Sequence, residues 1–317
     1  MTGAVVVLSG GVGGAKFVLG LSRVLDPAQL TVIANTGDDF EHLGLAISPD
    51  IDTILYTLAG LLDPERGWGR RDETWIFMEA LERLGGETWF RLGDGDLALH
   101  VERTRRLAGG ATLSDVTAHL ACRLGVGPRV LPMSDDPVRT RLRTPDGWLD
   151  FQDYFVRCRC EPPVHEIRYD GADTAAPTAA VLAALSDPRL RAIIIGPSNP
   201  LLSIGPILAI PGIRAALANQ SAPVVAVSPI IAGQAIKGPA AKMMRELGLL
   251  SSAEGVARGY EDLIDAFVVD PVDAKATFPS AIRVLAAPAL MKTIGDRERL
   301  AIAALAAADG LARGASV

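Results

Sequence analysis

Apolar positions recur along this chain in two alternating rhythms. Short β-branched runs lie within GAVVVLSGG (3–11), LTVIAN (30–35), RAIIIGPSNP (191–200), APVVAVSPII (222–231) and DAFVVDP (265–271). Most break off at Gly, Pro, Ser or Asn. Between them, residues 51–62, 72–84, 96–108 and 114–124 carry apolar side chains at helical spacing. Thr112 followed by Asp115 is a capping-box pattern for the helix beginning near Ser114. Such alternation predicts an α/β, Rossmann-like fold, with a mainly parallel sheet flanked by helices and strand ends gathered at one carboxyl edge, where ligands bind.

The rhythm changes in the middle. VRTRLRT, the turn Pro145-Asp146-Gly147, WLDFQDYFVRCRC and VHEIRYDG alternate with a period near two, predicting hairpin strands. Residues 134–170 are therefore expected to form a β-rich insertion within one α/β domain spanning 1–317. An alanine-rich helix over 299–313 either closes the core or pairs two subunits, and a homodimer is the expected assembly.

GGVGGAK at 10–16 joins the first strand to the first helix. Gly10, Gly11, Gly13 and Gly14 allow positive φ and close backbone approach, and the helix start offers free N–H groups beside Lys16. Phosphate is the natural guest. The spacing matches neither the dinucleotide fingerprint nor the P-loop, so neither a nicotinamide cofactor nor ATP follows from it. The bland alternative is a glycine-rich turn required only for packing.

NTGDDFEHLGLAISPDIDT at 35–53 places Asp38 and Asp39 after a strand and Asp50 and Asp52 near a helix start. Carboxylates beside a phosphate loop point to Mg²⁺, which keeps several waters and takes one or two protein carboxylates, so not all four are expected as ligands. Asp52 is expected simply to complement the helix N-terminus. ETWFRLGDGDLALH at 87–100 adds Arg91 as a phosphate clamp and Trp89 or Phe90 as a stacking surface, while Asp94 or Asp96 is expected to cap the next helix.

Composition narrows the class. The 317 residues are 49% hydrophobic and carry a net charge of −6, which argues against a broad nucleic-acid surface. No basic leader and no apolar stretch of spanning length is evident, so a cytoplasmic location away from membranes is expected. Cys122, Cys158 and Cys160 fit reduced structural thiols. His42, His100, His119 and His165 form no metal-binding motif.

GGVGGAK (10–16), NTGDD (35–39), SPDIDT (48–53), ETWFRLGDGDLA (87–98), GPSNPLLSIGPIL (196–208) and SPIIAG (228–233), in that order, resemble the phospholactate transferase family of coenzyme F-420 biosynthesis. The resemblance implies transfer of a phospholactyl, phosphoenolpyruvyl or phosphoglyceryl group from a guanosine diphosphate-linked donor to the ribityl hydroxyl of the deazaflavin FO, releasing GMP. It implies Mg²⁺ at Asp38 with Asp39 or Asp50, and phosphate against the glycine loop and Lys16. Asn35, Thr36, Ser198, Asn199, Pro200 and Ser228 are implied as substrate contacts, and Asp50 and Arg91 as catalytic residues on the acceptor side. Metal ligation and acceptor binding at Asp50 compete. A nucleotide-sugar-binding regulator of the related gluconeogenesis-factor family is the alternative. That family carries DDGGSSG where Asp38-Asp39 here meet Phe40-Glu41-His42, and it leaves SPDIDT and WFRLGD without a purpose.

Overall fold

The computed structural model describes residues 3–235 and 238–314, so two positions of the loop that follows SPIIAG (228–233) lie outside the described residues. Seven strands form one parallel sheet: β1 (Ala4–Ser9), β2 (Leu30–Ala34), β3 (Arg129–Pro132), β4 (Leu190–Ile195), β5 (Val224–Val227), β6 (Ala266–Val269) and β7 (Arg283–Ala286). Their order is β7-β6-β5-β4-β1-β2-β3, with every neighbouring pair parallel. The chain winds outward from β1 to β3, returns to the other side of β1 at β4, and winds outward again.

Side-chain alternation explains why these runs are apolar throughout. Val5 and Val7 enter one core with Phe17, Leu21, Ile54 and Leu300, whereas Val6 and Leu8 enter the opposite core with Ile193, Ile195, Ile207 and Ile213. Both faces of each central strand are covered, as a doubly wound sheet requires. On the first face α1 (Gly11–Val24) packs between α2 (Pro49–Leu58) and α6 (Ile294–Gly314), with α3 (Ile76–Arg83), α4 (Asp94–Ala108) and α5 (Leu113–Arg123) in the excursion between β2 and β3. The Thr112–Asp115 box is present at the start of α5. The alanine-rich 299–313 segment closes the core, burying Leu300, Ala301, Ala304, Leu305 and Ala308.

The predicted insertion contains a three-stranded antiparallel sheet in which Arg139–Thr144 lies between Gly147–Asp150 and Glu166–Asp170. One expectation is corrected: WLDFQDYFVRCRC is strand only to Asp150, and Asp153–Arg157 turns helically. Helical spacing stacks Phe151 on Phe155 (5.3 Å) and sends Tyr154 into a small core with Leu142, Val164, Leu202 and Met243. Among the described residues, no single helix is long and apolar enough to cross a membrane. The three cysteines are unpaired thiols.

Candidate functional site

The strand order changes direction between β1 and β4, and the loops leaving these two strands meet there, at the crevice position of open α/β sheets. Ser198 joins them: its Oγ accepts from the Gly10 amide (3.1 Å) and donates to the Gly10 carbonyl (2.8 Å). A side chain at Gly10 would strike Asp50 and come within 2.7 Å of the Ser203 Cβ, and Gly11 has φ +64°. Only glycine satisfies both demands. No side chain of the N-cap residue closes α1, whose first turn faces a cavity of about 600 Å³. Gly10, Gly11, Gly13 and Lys16 line that cavity, as do Asp38, Asp50, Arg91, Ser198 and Asn199.

At the base of this loop lie two adjacent buried acids. Asn35 Nδ2 donates to Asp38 Oδ1 (3.2 Å) and Asp50 Oδ2 (2.9 Å), and the Gly11 amide donates to Asp50 Oδ1 (2.6 Å). Burial pushes the Asp50 carboxyl up to about 6, against the opposing pull of Asn35 and Gly11. Asp38 is raised well above the ordinary carboxylate range by burial first and then by its neighbours Asp50 and Asp39. These two adjacent carboxyls at the cavity floor are the side chains that could hold a hard cation. Among the described residues, no group of three acidic, imidazole or thiol side chains is arranged to hold a metal, so such an ion would rely on water and substrate oxygens for its other ligands.

Asp39 points elsewhere. It accepts from Ser48 Oγ (2.8 Å) and, with Thr36, lines a separate cavity of about 250 Å³. Of the other expected site residues, Asn35 lies beneath the acid pair. Gly14 packs against Ser9 and Ser198. Asn199 lines the cavity while its Oδ1 caps the turn beginning at Pro200, accepting from the Leu201 and Leu202 amides. Ser228 is fully buried, its hydroxyl bonded to the Ile230 carbonyl and amide after β5. Gly14, Asn35, Pro200 and Ser228 therefore lie outside the cavity's lining.

The second wall joins α2 to α4. Asp52 does more than complement the helix start: it forms a buried two-pronged ion pair with Arg103, whose Nη1 to Oδ2 distance is 3.0 Å. Tyr56 donates to Asp96 (2.6 Å), and His100 sits between Asp96 and Arg103. Burial works against the Asp96 carboxylate, but His100 and Tyr56 hold its pKa below the ordinary value. Burial and the Asp96 and Asp52 charges raise Tyr56. The expected capping by Asp94 and Asp96 is exchanged between helices. Asp94 accepts from the Ile76 and Phe77 amides at the start of α3, while Glu73 accepts from Gly95 and Asp96 at the start of α4.

Sequence reasoning passed over Arg103, Tyr56, Arg66 and Trp68. Arg103 sits in a charged run that reads as a solvated helix face, and only its spacing of four from Leu99 and of three from His100 marked it as inward. Arg91 is exposed at the cavity, with its guanidinium over the Trp75 ring (4.3 Å).

The architecture defines an α/β protein whose ligand crevice lies at the topological switch point, with a glycine loop on one side and buried acids beneath. The family model described as 2-phospho-L-lactate transferase CofD matches residues 5–285. A phosphoenolpyruvate transferase of Kitasatospora aureofaciens is 43% identical over 320 residues, covering 98% of this chain and 99% of that protein. A 2-phospho-L-lactate transferase of Methanocaldococcus jannaschii is 39% identical over 301 residues, covering 94% and 96%. A crystal structure of a UPF0052-family member from Bacillus halodurans superposes with a TM-score of 0.64 at 16% identity, covering 96% of this chain and 99% of that one, and shares the fold. The chain belongs to the 2-phospho-L-lactate transferase family and is a transferase.

Proposed function

We propose that this transferase moves a phospho-acid group from a guanosine diphosphate-linked donor to the terminal ribityl hydroxyl of the deazaflavin FO, releasing GMP. The observation that carries the reading is the one cavity that the glycine loop, Asp38, Asp50, Arg91 and Ser198 line together. The hydroxyl oxygen bonds to the outer phosphorus, and the bond from that phosphorus to the bridging oxygen breaks. GMP leaves with that oxygen, and the product is a phosphodiester. Such a step is governed by in-line positioning of two anions and by neutralising charge on the phosphoryl oxygens.

In this reading the amides of the glycine loop and Lys16 hold the donor phosphates. Asp50, anchored by the Gly11 amide and Asn35 Nδ2, orients the hydroxyl and accepts its proton. Asp38, beside Asp50, is the carboxylate that would hold Mg²⁺; that ion would supply charge neutralisation at the phosphates. Arg91 faces the acceptor. Relatives bearing the enolpyruvate and lactate names resemble this chain to a similar degree. The acid on the donor is therefore left to assay.

The test is product analysis. Incubating protein, Mg²⁺, FO and a donor should give a species containing both the deazaflavin ring and the acid, and no such species with any of the three donors overturns the proposal. Asp38→Asn should depress turnover and weaken the response to Mg²⁺. Unchanged Mg²⁺ dependence would remove Asp38 from the metal site.

A further inference from the structure

Trp89 and Phe90, the aromatic side chains expected to stack on a substrate ring, are already engaged. The Arg157 guanidinium lies 4.4 Å from the Trp89 ring centroid, and Trp89 also meets Phe90 (5.7 Å), His42 (5.1 Å) and Phe40 (6.2 Å). Phe90 meets Phe40 edge-on at 4.8 Å. They form one half-buried wall cluster that lines the cavity, short of a widely exposed ring face.

A different segment offers one. Residues 61–72 form a closed loop: the Arg71 amide donates to the Leu61 carbonyl (2.8 Å), Asp63 to Gly69 (3.1 Å) and Gly67 to Asp63 (2.9 Å). Asp63 organises its interior, accepting from the Glu65 and Arg66 amides (both 2.9 Å) and from Arg66 Nε (2.8 Å). Trp68 is displayed between Gly67 (φ +75°) and Gly69 (φ +67°), lines the cavity, and remains 45% exposed. Cations border it: Arg66 lies 5.6 Å from its ring and 5.0 Å from that of Trp75, whose ring also carries Arg91. Phe155 is the other well-exposed aromatic of the cavity, but it is stacked on Phe151, and among the described residues no guanidinium lies over it.

Resting on the transferase reading above, we propose that Trp68 is a specificity-determining residue that stacks on a flat, oxygen-bearing heteroaromatic ring of a substrate, with Arg66 facing the ring's polar edge. A large exposed indole at a cavity wall gains most from a planar ligand, and guanidinium groups complement the carbonyl oxygens of such a ring. Two substrate rings share this chemistry, the deazaflavin tricycle and the guanine of the donor. The structure assigns the subsite, and binding assays assign the ring.

The full-length protein, as Trp68→Ala, Trp68→Phe and the unaltered chain, is titrated separately with GMP and with FO, without the second substrate. Trp68→Ala should weaken one ring by about 10- to 100-fold and leave the other within about twofold, the scale of stacking on an aromatic side chain. Trp68→Phe should recover most of that loss. Binding of the affected ring should quench tryptophan emission in the unaltered protein more than in Trp68→Phe. Unchanged affinity for both rings in Trp68→Ala overturns the proposal, as does an equal loss for both accompanied by a lower melting temperature. If the unaltered protein binds neither ring, the transferase reading itself fails, a result distinct from a normal chain and an indifferent variant.

Discussion

Replacing Arg103 with Met should be among the most destabilising single changes in the molecule away from the glycine loop. Arg103 is 1% exposed, and Asp52 is 5% exposed. The guanidinium contacts both Asp52 oxygens and also approaches His100 Nδ1 (3.2 Å) and the Ala46 carbonyl (3.4 Å). Met fills most of the volume, but it leaves the Asp52 carboxylate dry and unpaired. Breaking a buried pair from one side costs about 3–5 kcal/mol. In a chain of this size that lowers the melting temperature by roughly 5–10 °C. Replacing both partners, as Asp52→Leu with Arg103→Met, removes the stranded charge and should recover about 2 kcal/mol or more relative to the sum of the single losses. Urea unfolding of the four proteins in the cycle at pH 7.5 measures this. Additive losses, with the double variant as unstable as the singles combined, would refute the claim that the pair is energetically coupled. The function should follow the stability only in part, because the pair fixes α2, which bears Asp50, against α4, which follows Arg91.

Three further outcomes are expected. Gly10→Ala, whose new methyl would strike Asp50 and crowd Ser203, should cut turnover by at least about 100-fold, the scale seen for small misplacements of reacting groups; steady-state kinetics with a circular-dichroism melt would separate this from unfolding. Burial raises the Asp39 carboxyl from 3.8 to about 7, against weaker opposing pulls that begin with Arg139. Stability from its protonated form is therefore complete below about pH 4 and is lost as pH rises through about 7. Asp39→Asn should thus gain about 2–4 kcal/mol over the parent at pH 8 and little at pH 4, read by melts without divalent cations. Arg91→Ala should raise the KM for FO more than that for the donor, and equal rises would place Arg91 elsewhere.

What was legible in the chain was local. The β-branched runs and their Gly, Pro and Ser terminators mark the strands and their carboxyl ends, which puts the glycine loop and the 196–200 loop on one edge from the sequence alone. Asp50 was legible because it stands at a helix start two segments from that loop. The Asp52–Arg103 pair was not, because it joins positions 51 apart through the packing of α2 on α4. Nor was Trp68, since a loop with two glycines and three arginines reads as solvated connection until its closure shows what it displays. The run after Asp150 misled for a physical reason: Phe151, Tyr154 and Phe155 satisfy helical spacing while their polar neighbours mimic alternation.

The most direct test of the central claim is GMP release on mixing the protein with Mg²⁺, FO and, in turn, donors carrying lactate, enolpyruvate or glycerate. The account predicts release that requires both substrates and the cation, and fastest for one acid. Tight nucleotide binding without release from any donor would contradict it and would identify the cavity as one that binds its ligand without turnover.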